Sequence, residues 1–122
     1  MVLIFSVKKG DNMLYTEVIK NTKLFTKLYK KGKFSASPDI VMYFIPNKLP
    51  FNRVGITAGK KIGNAVLRNR AKRIIRAAYR NCEELFPIGF DIIFVARQHI
   101  VSVDSTTLEA VMKKKFISEL SK

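Results

Sequence analysis

Gly59-Lys-Lys-Ile-Gly-Asn-Ala-Val-Leu-Arg-Asn-Arg-Ala-Lys-Arg-Ile-Ile-Arg-Ala-Ala-Tyr-Arg80 decides how this chain is read. Between Lys60 and Arg80 it carries eight Lys or Arg residues and no Asp or Glu. At about 100° per residue, Leu67, Ala71, Ile74, Ile75, Ala78, Cys82 and Leu85 fall on one stripe, and Arg68, Lys72, Arg73, Arg76 and Arg80 fall opposite. The spacing predicts a helix with one core face and one bare cationic face. A solvated helix normally interleaves Glu with Lys and Arg, because opposite charges at i,i+4 help by ~0.2–0.5 kcal/mol and like charges cost about as much. Such a face implies an anionic partner.

Working outward, the whole chain has 122 residues, 48% of them apolar, which is enough for one domain with its own core and no staples. A net charge of +14 points to a polyanion. A membrane surface is the competing polyanion, but an interfacial helix carries large hydrophobes opposite its charges in an otherwise loose chain; here that stripe has strands to pack on. Met1 to Val7 is apolar yet lacks a leading positive charge and is too short for a signal peptide or a span. The expected location is cytoplasmic, without membrane contact. The single cysteine, Cys82, excludes an internal disulfide and reads as a small buried filler. The sole histidine, His99, is either a solvated loop residue or a nucleic-acid contact.

The order of elements predicts an α+β domain. Residues 1–20 read as a partly flexible leader, with Met13 an alternative start, and 21–122 as the domain. A helix is expected over about Thr22 to Lys30, ended by Gly32 and held by Leu24 and Leu28. Strands follow near Ile40–Ile45 and Arg53–Ala58, joined across Pro46 to Pro50. Gly59 and Gly63 bracket a tight loop, Asn64 is the candidate N-cap, and the cationic helix runs to Pro87 at the latest. A strand over Phe90–Ala96 precedes a last helix with Leu108, Val111, Met112, Phe116 and Leu120 on one face, opened by a capping box of Thr106 and Glu109.

This residue inventory excludes several chemistries. One Cys and one His cannot supply a structural metal site or a two-histidine nuclease. Asp39, Asp91, Asp104 and Glu109 are scattered, and Glu83 and Glu84 diverge by ~100° on a helix, so no carboxylate cluster for Mg²⁺ is expected. Gly59 to Gly63 lacks the spacing of a phosphate loop. What remains is a binding module without its own active site.

Lys60-Lys-Ile-Gly-Asn-Ala-Val-Leu-Arg-Asn-Arg-Ala-Lys-Arg-Ile-Ile-Arg76 closely resembles the Arg-Asn-Arg signature of the bacterial ribonuclease P protein subunit. The resemblance extends from about Asn21 to Leu120. It takes in an early aromatic helix followed by glycine (Phe25, Tyr29, Gly32), a Val-x-Tyr strand (Val41, Tyr43), Arg53-Val54-Gly55, and Ile92-Ile-Phe-Val-Ala-Arg97. It implies an α-β-β-β-α-β-α order around a four-stranded sheet, with the cationic helix as a left-handed crossover between parallel strands, a fold shared with a ribosomal-protein domain. That is one strand more than the pattern itself reveals, and the regions around Ile40–Pro46 and Phe51–Ala58 are where it would hide.

The same resemblance implies function. A large RNA, using Mg²⁺, removes the 5′ leader of precursor tRNA, and one protein per RNA assists. Lys60, Lys61, Asn64, Arg68, Asn69, Arg70, Lys72, Arg73 and Arg76 match the surface toward that RNA. Phe25, Tyr29, Val41 and Tyr43 match a cleft for the single-stranded leader; the alternative is that these rings are core. Arg70 lies near the edge of the apolar stripe and would serve either RNA or backbone carbonyls. Tyr29 stands where phenylalanine is frequent, which places a hydroxyl near a base or phosphate, and Gly59 stands where serine is common. A structural RNA-binding protein of ribosomal type is the competing reading, and a self-sufficient nuclease is disfavoured by the inventory.

Overall fold

The computed structural model describes residues 2–4, 16–19 and 22–121, so most of the leader expected at Met1 to Asn12, and Met13 with it, lies outside the described residues. Helix α1 (Thr22–Lys31) ends where the Gly32 N–H donates to Leu28 O at 2.9 Å. Four strands form the body of one sheet: β3 (Lys33–Ala36), β4 (Ile40–Pro46), β5 (Asn52–Thr57) and β6 (Phe90–Ala96). Their order is β5-β6-β4-β3. Two three-residue strands, β1 (Val2–Ile4) and β2 (Thr16–Val18), extend it by pairing with β5, antiparallel and parallel respectively. Val2–Ile4, within the segment read as a leader, thus pairs with the sheet.

The third strand of the α-β-β-β run is β3, upstream of both regions searched for it. Lys-Phe-Ser-Ala has one buried residue in four, so neither periodicity nor apolar content marks it. It exists by pairing with β4, Phe34 opposite Tyr43 and Ser35 opposite Met42. The crossover is present: β5 and β6 are adjacent and parallel, and α2 (Ala65–Cys82) connects them.

Alternation divides the sheet into two faces. Ile40, Met42, Phe44, Val54, Ile56, Ile92 and Phe94 meet α2 and the C-terminal helices in the larger core. Those helices are α3 (Ser105–Val111), a π-helical turn (Met112–Phe116) and α4 (Ile117–Leu120), and they bury Leu108, Met112, Phe116 and Leu120 as their spacing predicts. Asp104 caps α3, accepting from Thr107 N at 2.9 Å, so the capping box expected at Thr106 is displaced upstream. On the other face α1 places Phe25 and Leu28 against Ile93, with Tyr43, Ile45 and Val95 alongside. Gly55 makes that approach possible, since a Cβ there would lie 2.5 Å from Phe25 Cζ.

Helix α2 is rotated relative to the simple stripe. Its buried residues are Ala71, Lys72, Ile75, Ala78, Tyr79 and Cys82, while Leu67 and Leu85 are exposed. Tyr79 draws the helix round. It is wholly buried against Phe86 and Phe94, and its hydroxyl lies 2.7 Å from Thr16 Oγ1, which donates to Glu83 Oε2 at 2.5 Å. Burial raises the Tyr79 pKa, so the phenol keeps its proton and donates into this chain of oxygens. The network fixes β2 to α2. Lys72, expected to face solvent, is buried.

Cys82 is the buried filler expected, with Sγ 3.1 Å from Ala78 O. Desolvation, reinforced by Glu109 and opposed by Lys113, pushes its thiol up to about 12. A thiol reagent at neutral pH is expected to leave the native protein unlabelled and to react fully once denaturant is added, because the thiolate is the nucleophile. Labelling in the absence of denaturant would show that the α2 to α3 packing opens.

Candidate nucleic-acid interface

After β5 the chain makes a 3-10 turn at Lys60–Ile62, burying Ile62 and leaving Lys60 and Lys61 exposed. Gly63 then takes φ 137°, a conformation that L side chains rarely adopt, as a backbone-geometry residue should. Asn64 caps α2, its Oδ1 accepting from Leu67 N at 3.0 Å. The cationic segment therefore starts from a fixed turn. Asn64, Asn69 and Arg73 are exposed, and Arg68 and Arg76 are partly so.

Two members of the expected RNA set, Arg70 and Lys72, also have contacts or burial within the fold. The Arg70 guanidinium reaches across to the carbonyls of Val101 and Val103, each at 3.3 Å. These bonds pin the first turns of α2 to the segment before α3. Lys72 is only 7% exposed, so its stem packs before its charge can serve a partner.

The α1 face of the sheet holds the aromatic residues. Tyr43 is central, with Tyr29 edge-on at 5.0 Å and Phe34 tilted at 5.9 Å between ring centroids. Val41 pairs with Val95, and Thr57 pairs with Val95 on the other side, so these three continue the floor. The Tyr29 hydroxyl lies toward the Thr57 side chain. Partial burial raises the Tyr29 pKa, the Thr57 bond opposes this and Tyr43 adds to it. Phe25 is buried at 6% and supports the cleft from beneath, so it offers no free stacking face. Phe34 does offer one, at 65% exposure. It escaped the sequence reading because β3 did; once β3 is in register, Phe34 must share a face with Tyr43.

A groove of about 910 Å³ runs beside the turn before α2, lined by Lys60, Lys61, Val95, Arg97, Gln98 and His99 among others. Val95 belongs to the cleft floor and the lysines to the turn before α2. His99 is solvated, with its side chain 62% exposed, and its Nδ1 lies 2.5 Å from Oδ1 of buried Asp39. Arg97 is braced by donating to Ser37 O at 3.1 Å.

Carboxylates are spent on structure. Asp91 accepts from Arg53 at 2.7 and 2.8 Å and from Asn47 at 2.9 Å. Asp104 caps α3, and the Thr107 N–H holds its pKa below the usual value. Glu109 accepts from Asn81 at 3.0 Å. Among the described residues no group of three or more His, Cys, Asp or Glu side chains is placed to hold a metal ion, and no helix is long and apolar enough to cross a membrane.

Fold and surface together define a small basic α+β domain with an exposed aromatic cluster on one sheet face and a cationic crossover helix on the other. The Ribonuclease P family profile matches residues 13–119. The chain is 46% identical over 96 residues to the ribonuclease P protein component of Thermoanaerobacter sp. (strain X514), covering 79% of this chain and 83% of that one. It is 44% identical over 92 residues to that of Clostridioides difficile (strain 630), covering 75% and 79%. Among solved structures it is similar to the RNase P protein of Thermotoga maritima, with a TM-score of 0.71 at 28% identity, covering 84% of this chain and 93% of that one. The Staphylococcus aureus RNase P protein gives 0.67 at 31%, covering 89% and 96%. The chain belongs to the Ribonuclease P protein component family.

Proposed function

We propose that this protein is the subunit of ribonuclease P that binds the catalytic RNA through Lys60, Lys61, Asn64, Arg68, Asn69, Arg73 and Arg76. In the same reading it holds the 5′ leader of precursor tRNA on Tyr29, Phe34, Val41 and Tyr43. Chemistry belongs to the RNA, which uses Mg²⁺, and one protein serves each RNA in the cytoplasm. Residues 21–122 form the working domain. Arg70, Lys72 and Phe25 act through the fold, positioning α2 and the cleft. The observation that supports the reading is the exposed cluster of Tyr29, Phe34 and Tyr43 on one sheet face, with Lys60 and Lys61 lining a groove that reaches Val95, the strand neighbour of Val41.

Physically, the two halves divide the work. Rings accept any base, because every base has a π-face and stacking is worth ~1–3 kcal/mol per base. Lysine and arginine replace counterions between two polyanions. Protein freed of RNA is accordingly expected to cleave nothing, while addition of the catalytic RNA gives leader removal at a lower Mg²⁺ concentration than the RNA needs alone. The measurement is cleavage of labelled precursor tRNA across a Mg²⁺ series. Cleavage by rigorously RNA-free protein would overturn this assignment.

A further inference from the structure

Helix α1 carries a second cationic surface that neither the Arg-Asn-Arg segment nor the aromatic cleft accounts for. Its ten residues, Thr-Lys-Leu-Phe-Thr-Lys-Leu-Tyr-Lys-Lys, contain four lysines and no acid. Lys23, Lys27, Lys30 and Lys31 are all exposed. With Phe25 and Leu28 buried on the sheet, the 3.6-residue period gathers these lysines on the side away from it. The arrangement is unfavourable for an isolated helix. Lys23/Lys27 and Lys27/Lys31 are like-charge i,i+4 pairs, and Lys23 sits at the positive end of the macrodipole. The C-terminal helices do otherwise, setting Glu109 3.9 Å from Lys113 at i,i+4.

Position selects the partner. The cationic helix α2 lies on the opposite face of the sheet, so the lysine stripe is no continuation of it. Tyr29, by contrast, belongs to α1 itself, so the helix that walls the aromatic cleft carries the stripe on its outer side. A helix is ~10–12 Å across with its side chains, which a strand leaving the cleft past Tyr29 crosses within a few nucleotides. Lys23 to Lys30 spans about 10 Å along the axis, room for about three phosphates at the ~3.4 Å spacing of one stacked strand.

We propose that the α1 lysine stripe holds phosphates of leader nucleotides beyond those in the aromatic cleft, so that the grip on precursor tRNA strengthens with leader length. This rests on the leader-cleft reading above. The test uses protein reconstituted with the catalytic RNA and three ligands: precursor tRNA with a leader of about four nucleotides, the same with about sixteen, and mature tRNA. The variant is Lys27→Gln, Lys30→Gln and Lys31→Gln together, with its melting temperature checked. The expected result is a roughly tenfold loss for the long leader only, and a fall of about 2 in the slope of log K against log salt, ~0.7 per contact on a single strand. Unchanged affinity for the long leader would overturn the proposal, as would equal losses for all three ligands or weaker assembly with the catalytic RNA. Failure of the underlying reading looks different: the unsubstituted protein would then bind short-leader precursor and mature tRNA alike.

Discussion

Replacing Arg68, Arg73 and Arg76 together by alanine is expected to weaken assembly with the catalytic RNA by on the order of a hundredfold, with the melting temperature nearly unchanged. Among the described residues none of the three guanidiniums makes a hydrogen bond or ion pair, and all three reach the surface of α2. A charge-assisted contact in water is worth about 1 kcal/mol at the low end, so three give about 3 kcal/mol, or roughly two decades in affinity. The slope of log K against log salt should fall by about 2–3 units, at ~0.7–0.9 per phosphate. Arg70→Ala and Lys72→Ala are the contrasting controls. The first frees the Val101 and Val103 carbonyls, and the second removes a side chain whose residue is only 7% exposed, so both are expected to lower stability. Binding measured across a salt series, with thermal denaturation of each variant, separates the two groups. An unchanged slope in the triple variant would place the RNA surface elsewhere.

The contrast shows what a helical projection can and cannot see. A wheel assigns each residue an angle, but burial also depends on what lies at that angle. The cationic character of α2 was legible because it is a property of the segment. The burial of Lys72 was not, nor was that of Tyr79, whose hydroxyl meets Thr16, 63 positions away in sequence. Leu85 departs from the wheel because α2 ends at Cys82 and a 3-10 turn follows, and Leu67, in the first turn of α2, is left exposed. Arg70 was ambiguous by angle, and the tie is broken by carbonyls 31 and 33 residues downstream.

Strands followed a similar rule. β4, β5 and β6 are dense in apolar or β-branched residues and were found directly, whereas β3 is a polar edge strand defined by its neighbour. Missing it concealed Phe34, the most exposed aromatic ring of the cleft. The resemblance supplied the missing strand in number though not in place. Phe25 shows the limit of carrying a role over by motif, since its ring is held against Gly55 and its contribution to a leader is through the wall it supports.

Phe34 and Tyr43 give the sharpest test of the cleft. Phe34→Ser removes a ring that is 65% exposed and so contributes little to the core, which separates stacking from stability as no substitution of Phe25 can. Tyr43→Leu keeps apolar volume under Tyr29 while removing the flat face. Each change is expected to cost the reconstituted enzyme ~1–3 kcal/mol of affinity for precursor tRNA with a short leader, one stack apiece. The pair together is expected to lose less than the sum, because the two rings are 5.9 Å apart and contact one another. Mature tRNA has no leader and is expected to bind almost unchanged. Phe25→Leu, in contrast, is expected to lower the melting temperature, since it leaves a gap over Gly55. The measurement is affinity for both ligands with circular dichroism on every variant. If Phe34→Ser weakens mature and precursor tRNA equally, the rings do not hold the leader, and the cleft must be reassigned to a different strand of RNA.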